Sequence, residues 1–125
     1  MRRLIVLVSI LCAFIFTQSQ SLYFDGNGDY VGISNPVAIP DGFDAYTMAA
    51  WIKPNSMGTR GIVGWGTWGG SNTCNALRLM GNTQIRHYWW GNDLDVTCGD
   101  ISGDWHHIVA LFDGTTRKVY LDGNL

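Results

Sequence analysis

Every acidic residue in this chain is an aspartate. The 125 residues contain ten aspartates and no glutamate. Glutamate is a favoured helix former, whereas aspartate is typical of caps and turns. Sixteen glycines, which follow no three-residue period, add further turn formers. The composition therefore predicts a chain of strands and turns rather than one of helices.

Charge and aromatic content exclude two further classes of protein. Only 14% of the residues are charged and 13% are aromatic, the opposite of a disordered, highly charged segment. Without residues 1–21, six Lys and Arg stand against ten Asp, a net charge of −4. Such an acidic surface disfavours nucleic acid as a partner. The length allows one domain.

The first 21 residues have the pattern of a secretory signal peptide. A basic start precedes an uncharged apolar run over residues 4–16, and a polar stretch follows, with Ser19 and Ser21 at the cleavage-site positions. The apolar run is shorter than the about 20 residues that a membrane span requires. We therefore expect residues 1–21 to be removed, leaving a secreted domain over 22–125 with no membrane span.

Two cysteines remain after the predicted signal, Cys74 and Cys98. An even number of cysteines in an oxidising compartment favours pairing, so we expect a Cys74–Cys98 disulfide. The alternative is two buried free thiols. A metal site of Cys and His ligands is not expected, because neither a C-x₂₋₄-C nor an H-x₃₋₅-H spacing occurs.

The remaining chain alternates short strand-like runs with turn residues. The predicted strands are 22–24, 30–33, 46–52, 61–65, 76–80, 84–90, 105–112 and 117–121. Turns are predicted at 25–29, 81–83 and 113–116, and a loop bracketed by prolines over 35–42. Strands at this spacing favour an antiparallel sandwich. The chain stops at a turn signal over 122–124, which predicts that the partner strand of a hairpin is missing.

Three segments carry motifs in a consistent order. Residues 105–123 begin WHHIVALFDG and end YLDG, residues 46–54 read YTMAAWIKP, and residues 22–31 begin LYFDG and end DYV. These segments are similar to the motifs of laminin-G-like jelly-roll domains in the concanavalin A-like lectin/glucanase superfamily. The resemblance covers nearly all of 22–125 and implies an all-β, antiparallel jelly-roll sandwich. Because the family pattern continues further, we expect a fragment that lacks its C-terminal strands.

Aromatic and polar residues are densest over residues 84–95. Sugars are bound by flat aromatic faces together with amides and carboxylates, and domains similar to this family bind glycans. Strand alternation places Tyr88 and Trp90 on one face and His87 and Trp89 on the other, so one tryptophan is expected in the core. The alternative is ordinary packing and turns. The predicted ligand-binding residues are Trp68, Tyr88, Trp89, Trp90, Asn92 and Asp93.

Calcium is a possible cofactor. The resemblance suggests it, because some members of the similar family hold Ca²⁺ with loop oxygens. Asp93 and Asp95, with Asn92 and Asp100, supply some of the six to eight oxygens that Ca²⁺ requires. Aspartates in turns are equally explained without a metal.

Two tryptophans and two histidines of the resembling segments have simpler interpretations. Trp51 and Trp105 are expected in the core, because indoles bury a large apolar area. Adjacent residues of a strand point to opposite faces, so His106 and His107 are not expected to bind one ion together.

An enzyme is not expected. Glycosidases of the similar superfamily use paired glutamates, and this chain has none; it also lacks the G-x-S-x-G and H-E-x-x-H motifs. We therefore expect a secreted, non-catalytic module that binds glycans or glycoproteins. The alternative is a structural adhesion module that contacts protein through a sheet face, and a glycoside hydrolase-related enzyme comes last.

Overall fold

Two antiparallel sheets form the fold. The computed structural model describes residues 20–40 and 43–125, and it contains strands but no helix in those ranges. The all-β prediction is therefore confirmed. The strands are β1 (Tyr46–Ile52), β2 (Arg60–Gly66), β3 (Cys74–Met80), β4 (Gln84–Tyr88), β5 (Leu94–Thr97), β6 (His106–Phe112) and β7 (Arg117–Leu121).

One sheet has three strands in the order β1-β6-β7, and the other has four in the order β2-β3-β4-β5. Every paired neighbour is antiparallel. Nothing in the described ranges has the helical length and hydropathy that a membrane-spanning helix requires. Residues 1–19 of the signal predicted over 1–21, and residues 41–42 of the predicted loop, lie outside the described residues.

Short turns fix the register of the predicted hairpins. Between β6 and β7, the Asp113 carboxylate accepts hydrogen bonds from the backbone N–H of Thr115 (2.9 Å) and of Thr116 (2.7 Å). Between β3 and β4, residues 81–83 join Met80 to its cross-strand partner. Both turns were predicted from their Gly, Asp and Asn content, and both are confirmed.

The core lies between the two sheets and follows strand alternation. Every second side chain of β3 and β6 points inward, so that residues such as Leu77 and Ile108 are completely buried. The buried residues of this core cluster are Tyr46, Met48, Leu77, Leu79, Ile85, Trp89, Ile101, Ile108, Ala110, Phe112 and Val119.

A polar network crosses this apolar core. The Tyr46 hydroxyl accepts a hydrogen bond from Trp89 Nε1 (2.5 Å) and donates one to Asn75 Oδ1 (2.9 Å). His87 Nε2 lies 2.6 Å from the same hydroxyl. Since the hydroxyl proton is already directed to Asn75, His87 Nε2 is the donor. Burial, with the positive charge of Arg117, lowers the pKa of His87 from 6.5 to about 4 and keeps the ring neutral.

The two strands predicted before residue 40 are wrong. No strand forms over residues 20–40, and the apolar side chains of 22–24 and 30–33 are exposed. An apolar run becomes a strand only when its backbone groups pair with a neighbour. Between these runs, the Asp25 carboxylate accepts from the N–H of Asn27 (2.7 Å), which holds the predicted turn without a ladder.

The expected core positions of Trp51 and Trp105 are also wrong, since these side chains are 63% and 50% exposed. Trp51 alternates with the inward residues of β1, and it therefore stacks on its cross-strand partner His107 on the outer face, with ring centroids 5.0 Å apart. His106 Nδ1 instead lies 2.8 Å from an Asp122 carboxylate oxygen. The two adjacent histidines thus have separate partners, which follows from the opposite directions of neighbouring side chains in a strand.

Candidate functional site

The outer face of the four-stranded sheet carries a cluster of three aromatic side chains, Trp68, Tyr88 and Trp90, which we call the aromatic platform. The ring centroids of Trp68 and Trp90 are 4.3 Å apart, and those of Trp68 and Tyr88 are 5.6 Å apart. Trp68 is 65% exposed, whereas Tyr88 lies beneath its neighbours and is 7% exposed. The structure therefore brings together three of the predicted ligand-binding residues, which come from separate segments.

A hydrogen-bonded loop between β2 and β3 places Trp68 on the platform. The N–H of Thr67 donates to the carbonyl oxygen of Thr73 (2.7 Å), and the Thr73 hydroxyl is 2.7 Å from the carbonyl oxygen of Gly70. Gly66 starts the loop with a φ of +104°, and a side chain there would place its Cβ 2.3 Å from the Thr73 oxygen. Trp68 is therefore held on a closed loop.

A change of backbone direction after β4 separates the neighbouring tryptophans. Trp89 continues the inward alternation of β4 and is 4% exposed, with Arg117 over its ring at 4.3 Å. Trp90 has a φ of +50° and Gly91 one of +75°, so the chain leaves the strand there. One tryptophan is in the core, as predicted. The correction is that Trp89 is the buried one, so its ring faces are not available to a ligand.

An ion-pair cluster borders the aromatic platform. Arg86 makes a bidentate pair with Asp95, with nitrogen–oxygen distances of 2.6 and 2.7 Å, and its third nitrogen lies 3.0 Å from Asp93. These hydrogen bonds lower the pKa of the Asp95 carboxyl. The other oxygen of Asp93 accepts the N–H of Trp89 (2.9 Å), so this carboxylate is fixed at the end of β4. Asn92, in the same turn, is exposed.

The predicted calcium ligands do not fit a Ca²⁺ site. Arg86 places its positive charge against both Asp93 and Asp95, where a cation would need to be. Asp100 instead accepts the N–H of Ser102 (2.9 Å) in its own turn. Over residues 20–40 and 43–125, no group of three or more His, Cys or acidic side chains is placed to hold a metal ion.

The predicted disulfide is wrong, and both cysteines are free thiols. Cys74 begins β3, whereas the N–H of Cys98 donates to the carbonyl oxygen of Thr83, in the turn beyond the far end of β3 (2.8 Å). The length of β3, roughly 20 Å at 3.3 Å per residue, therefore separates them. A disulfide requires Cα atoms within about 7 Å.

Arg78 was not among the predicted site residues. It lies on β3 with its guanidinium carbon 4.9 Å from the centre of the Tyr88 ring. Nothing in the sequence distinguishes an isolated arginine in a strand as functional. Its informative feature is its position near Tyr88 on the neighbouring strand, which depends on the register of β3 and β4.

The fold and this face define an antiparallel sandwich with an aromatic surface on one sheet. A laminin G-like family model, described as the concanavalin A-like lectin/glucanases superfamily, matches residues 25–125. Because the match covers most of the chain, the protein belongs to this superfamily. No curated protein and no solved structure matches the chain.

Proposed function

We propose that this protein is a secreted, non-catalytic module that binds glycans through the aromatic platform. The observation that carries the proposal is the exposed indole of Trp68, held 4.3 Å from Trp90 on the outer face of a sheet. Exposure of a large aromatic side chain is costly in water, and a sugar ring that stacks on it removes apolar surface from both partners.

The surroundings of the platform supply what sugar hydroxyls require. The fixed carboxylate of Asp93 and the exposed amide of Asn92 lie in the turn that follows Trp90. Such groups orient a ligand by hydrogen bonding, while the aromatic faces contribute contact area. Because the loop and the turn are closed by their own hydrogen bonds, little ordering is required when a ligand binds.

The non-catalytic and secreted parts of the proposal have support from the sequence. Superfamily membership is compatible with lectins and with glucanases, but the paired glutamates of the glycosidase mechanism have no counterpart in a chain without glutamate. The basic start, apolar run and small residues before position 22 support export.

One observation favours the second candidate function, adhesion to protein through the other sheet. Trp51 is 63% exposed and stacks on His107 on the outer face of the β1-β6-β7 sheet. An exposed tryptophan there resembles the anchor of a protein interface. Trp51 differs from the aromatic platform in its polar surroundings, because Asn92 and Asp93 adjoin the platform and not Trp51.

Two matched substitutions test the glycan-binding function. Trp68→Ala and Trp51→Ala each remove an indole of nearly equal exposure. Calorimetric titration with cellohexaose, chitohexaose, mannohexaose and hexaglucuronate measures binding. We expect at least one oligosaccharide to bind, and Trp68→Ala to weaken it roughly tenfold or more through the loss of buried aromatic area. Trp51→Ala is the control and leaves binding unchanged. The reverse pattern overturns the proposal, and so does a failure to bind either these four oligosaccharides or the acidic glycosides tested below.

A further inference from the structure

The cross-strand positions of two arginines show an imbalance of charge on the outer face of the four-stranded sheet. Arg78 on β3 lies directly opposite Arg86 on β4, and Arg86 lies opposite Asp95 on β5. Like charges directly opposite each other destabilise a sheet. Asp93 and Asp95 offset the charge of Arg86, with contacts of 2.6 to 3.0 Å. The charge of Arg78 is not offset in this way.

Within residues 20–40 and 43–125, the guanidinium of Arg78 has no carboxylate partner and donates no hydrogen bond; its contact is with the Tyr88 ring, 4.9 Å away. A cation–π contact uses the positive charge and does not satisfy the N–H donors. Arg78 and Trp68 both contact Tyr88. The half-buried guanidinium of Arg78 and the exposed indole of Trp68 therefore share one neighbour, the Tyr88 ring, and the guanidinium is left without a carboxylate partner in the described ranges.

We infer that the glycan recognised by this face carries a carboxylate, which pairs with Arg78 while its ring stacks on Trp68. This inference rests on the proposed glycan-binding function and specifies its ligand class. A carboxylate matches the geometry of a guanidinium, because two parallel N–H···O bonds form at once. Uronic acids and sialic acids share this chemistry, and the test below separates them.

The charges of residues 22–125 favour a single carboxylate over a densely sulfated glycan as the ligand. Residues 22–125 carry a net charge of −4, and Asp93 and Asp95 lie beside the platform. A polyanion would be repelled by this surface, whereas one carboxylate requires only the one unpaired guanidinium. Arg78 thus provides the selectivity for an acidic sugar, whereas the aromatic platform provides the affinity for sugars in general.

A pair of sugars that differ at one position tests the inference. Methyl β-glucuronide carries a carboxylate where methyl β-glucoside carries a hydroxymethyl group, and the two are otherwise identical. The methyl glycoside of N-acetylneuraminate represents the sialic acids. NMR titration of the purified protein measures each affinity. We expect one of the acidic sugars to bind about tenfold more tightly than the glucoside, and the preference to decrease at 0.5 M NaCl.

Two variants assign the preference to Arg78. Arg78→Gln abolishes the acidic preference and leaves binding of the glucoside in place, whereas Lys118→Gln, which removes a positive charge from the other sheet, retains the preference. Circular dichroism confirms that both variants are folded.

Three outcomes overturn the inference, and they are distinguishable. Equal affinities for acidic and neutral sugars, or a preference that survives Arg78→Gln, overturn the role of Arg78 while the glycan-binding function stands. Tighter binding of a heparin hexasaccharide than of either carboxylated sugar overturns the choice of carboxylate. No binding of these glycosides or of the four hexasaccharides overturns both the inference and the proposed function.

Discussion

His87 is a titratable side chain in the core between the two sheets, and its protonation there would bury a positive charge. It is completely buried, its Nε2 donates to the Tyr46 hydroxyl, and its Nδ1 has no hydrogen-bond partner among the described residues. Burial and the charge of Arg117 lower its pKa to about 4. The neutral ring is therefore the form that the folded protein requires, while the unfolded chain protonates near pH 6.5.

This difference predicts that protonation of His87 contributes to acid destabilisation of the protein between pH 6.5 and pH 4. Between pH 6.5 and pH 4 the unfolded chain binds a proton that the folded protein does not, so the free energy of unfolding decreases as the pH falls. The full loss is about 3 kcal/mol, and the contribution of His87 is constant above pH 6.5 and below pH 4. Urea unfolding at half-unit pH steps measures it.

The matched variants for this measurement are His87→Asn and His107→Gln. The first is less stable at pH 7, because it loses ring packing, but its stability varies much less between pH 6.5 and 4. The second is changed at a histidine of the outer face and keeps the wild-type dependence. An unaltered pH slope in His87→Asn would refute the assignment.

Sequence alternation predicted which neighbours share a face, and the structure agrees for Tyr88 and Trp90 against His87 and Trp89. Alternation does not say which face is inward. Trp51 was assigned to the core by its apolar area, yet its neighbours on β1 fill the interior and leave it outside. Arg78 became informative only once the strand register placed it opposite Arg86 and near Tyr88.

Among the elements, the loop between β2 and β3 is where geometry constrains the site most tightly. Gly66 and Gly69 have nearly the same φ, +104° and +105°, but a Cβ on Gly66 would meet the Thr73 oxygen at 2.3 Å, whereas a Cβ on Gly69 meets nothing within 4 Å. We predict that Gly66→Ala destabilises the protein by about 2 kcal/mol or more, through strain and the clash.

Gly69→Ala is the matched control, because it carries the same unfavourable φ without the clash, and we expect it to cost about 1 kcal/mol. Thermal denaturation of both variants gives the comparison. Because the clash is with the bond that closes the loop, Gly66→Ala also weakens glycan binding. Equal destabilisation by the two substitutions would show that the close approach of Gly66 to Thr73 is unimportant.

Element prediction succeeded from residue 46 onward, where the predicted strands find neighbours to pair with, and failed over 22–33, where they do not. β1 and β7 have the predicted bounds, and β3, β4 and β6 differ by at most two residues at an end. β4 ends before Trp90 because the backbone there turns to positive φ. β5 was missed, since Leu94–Thr97 is short and contains an aspartate, and its strand character comes from pairing with β4.

For the whole molecule, three motifs in order were enough to predict the superfamily and the two-sheet architecture, and both are confirmed. The predicted disulfide could not be corrected from sequence, because the separation of Cys74 from Cys98 depends on how β3, β4 and β5 pair. The candidate site was predicted in part: Trp68, Tyr88 and Trp90 meet on one face, whereas Trp89 belongs to the core.

The most direct test of a glycan-binding platform uses the six tryptophan indoles of the chain as reporters. Each indole N–H gives its own signal in a ¹⁵N–¹H spectrum, and single Trp→Phe variants assign them. During titration with the hexasaccharides and acidic glycosides, we predict that the signals of Trp68 and Trp90 shift together with saturation, while that of Trp51 stays in place. Saturable shifts confined to Trp51, or no shift at any indole, would contradict the account.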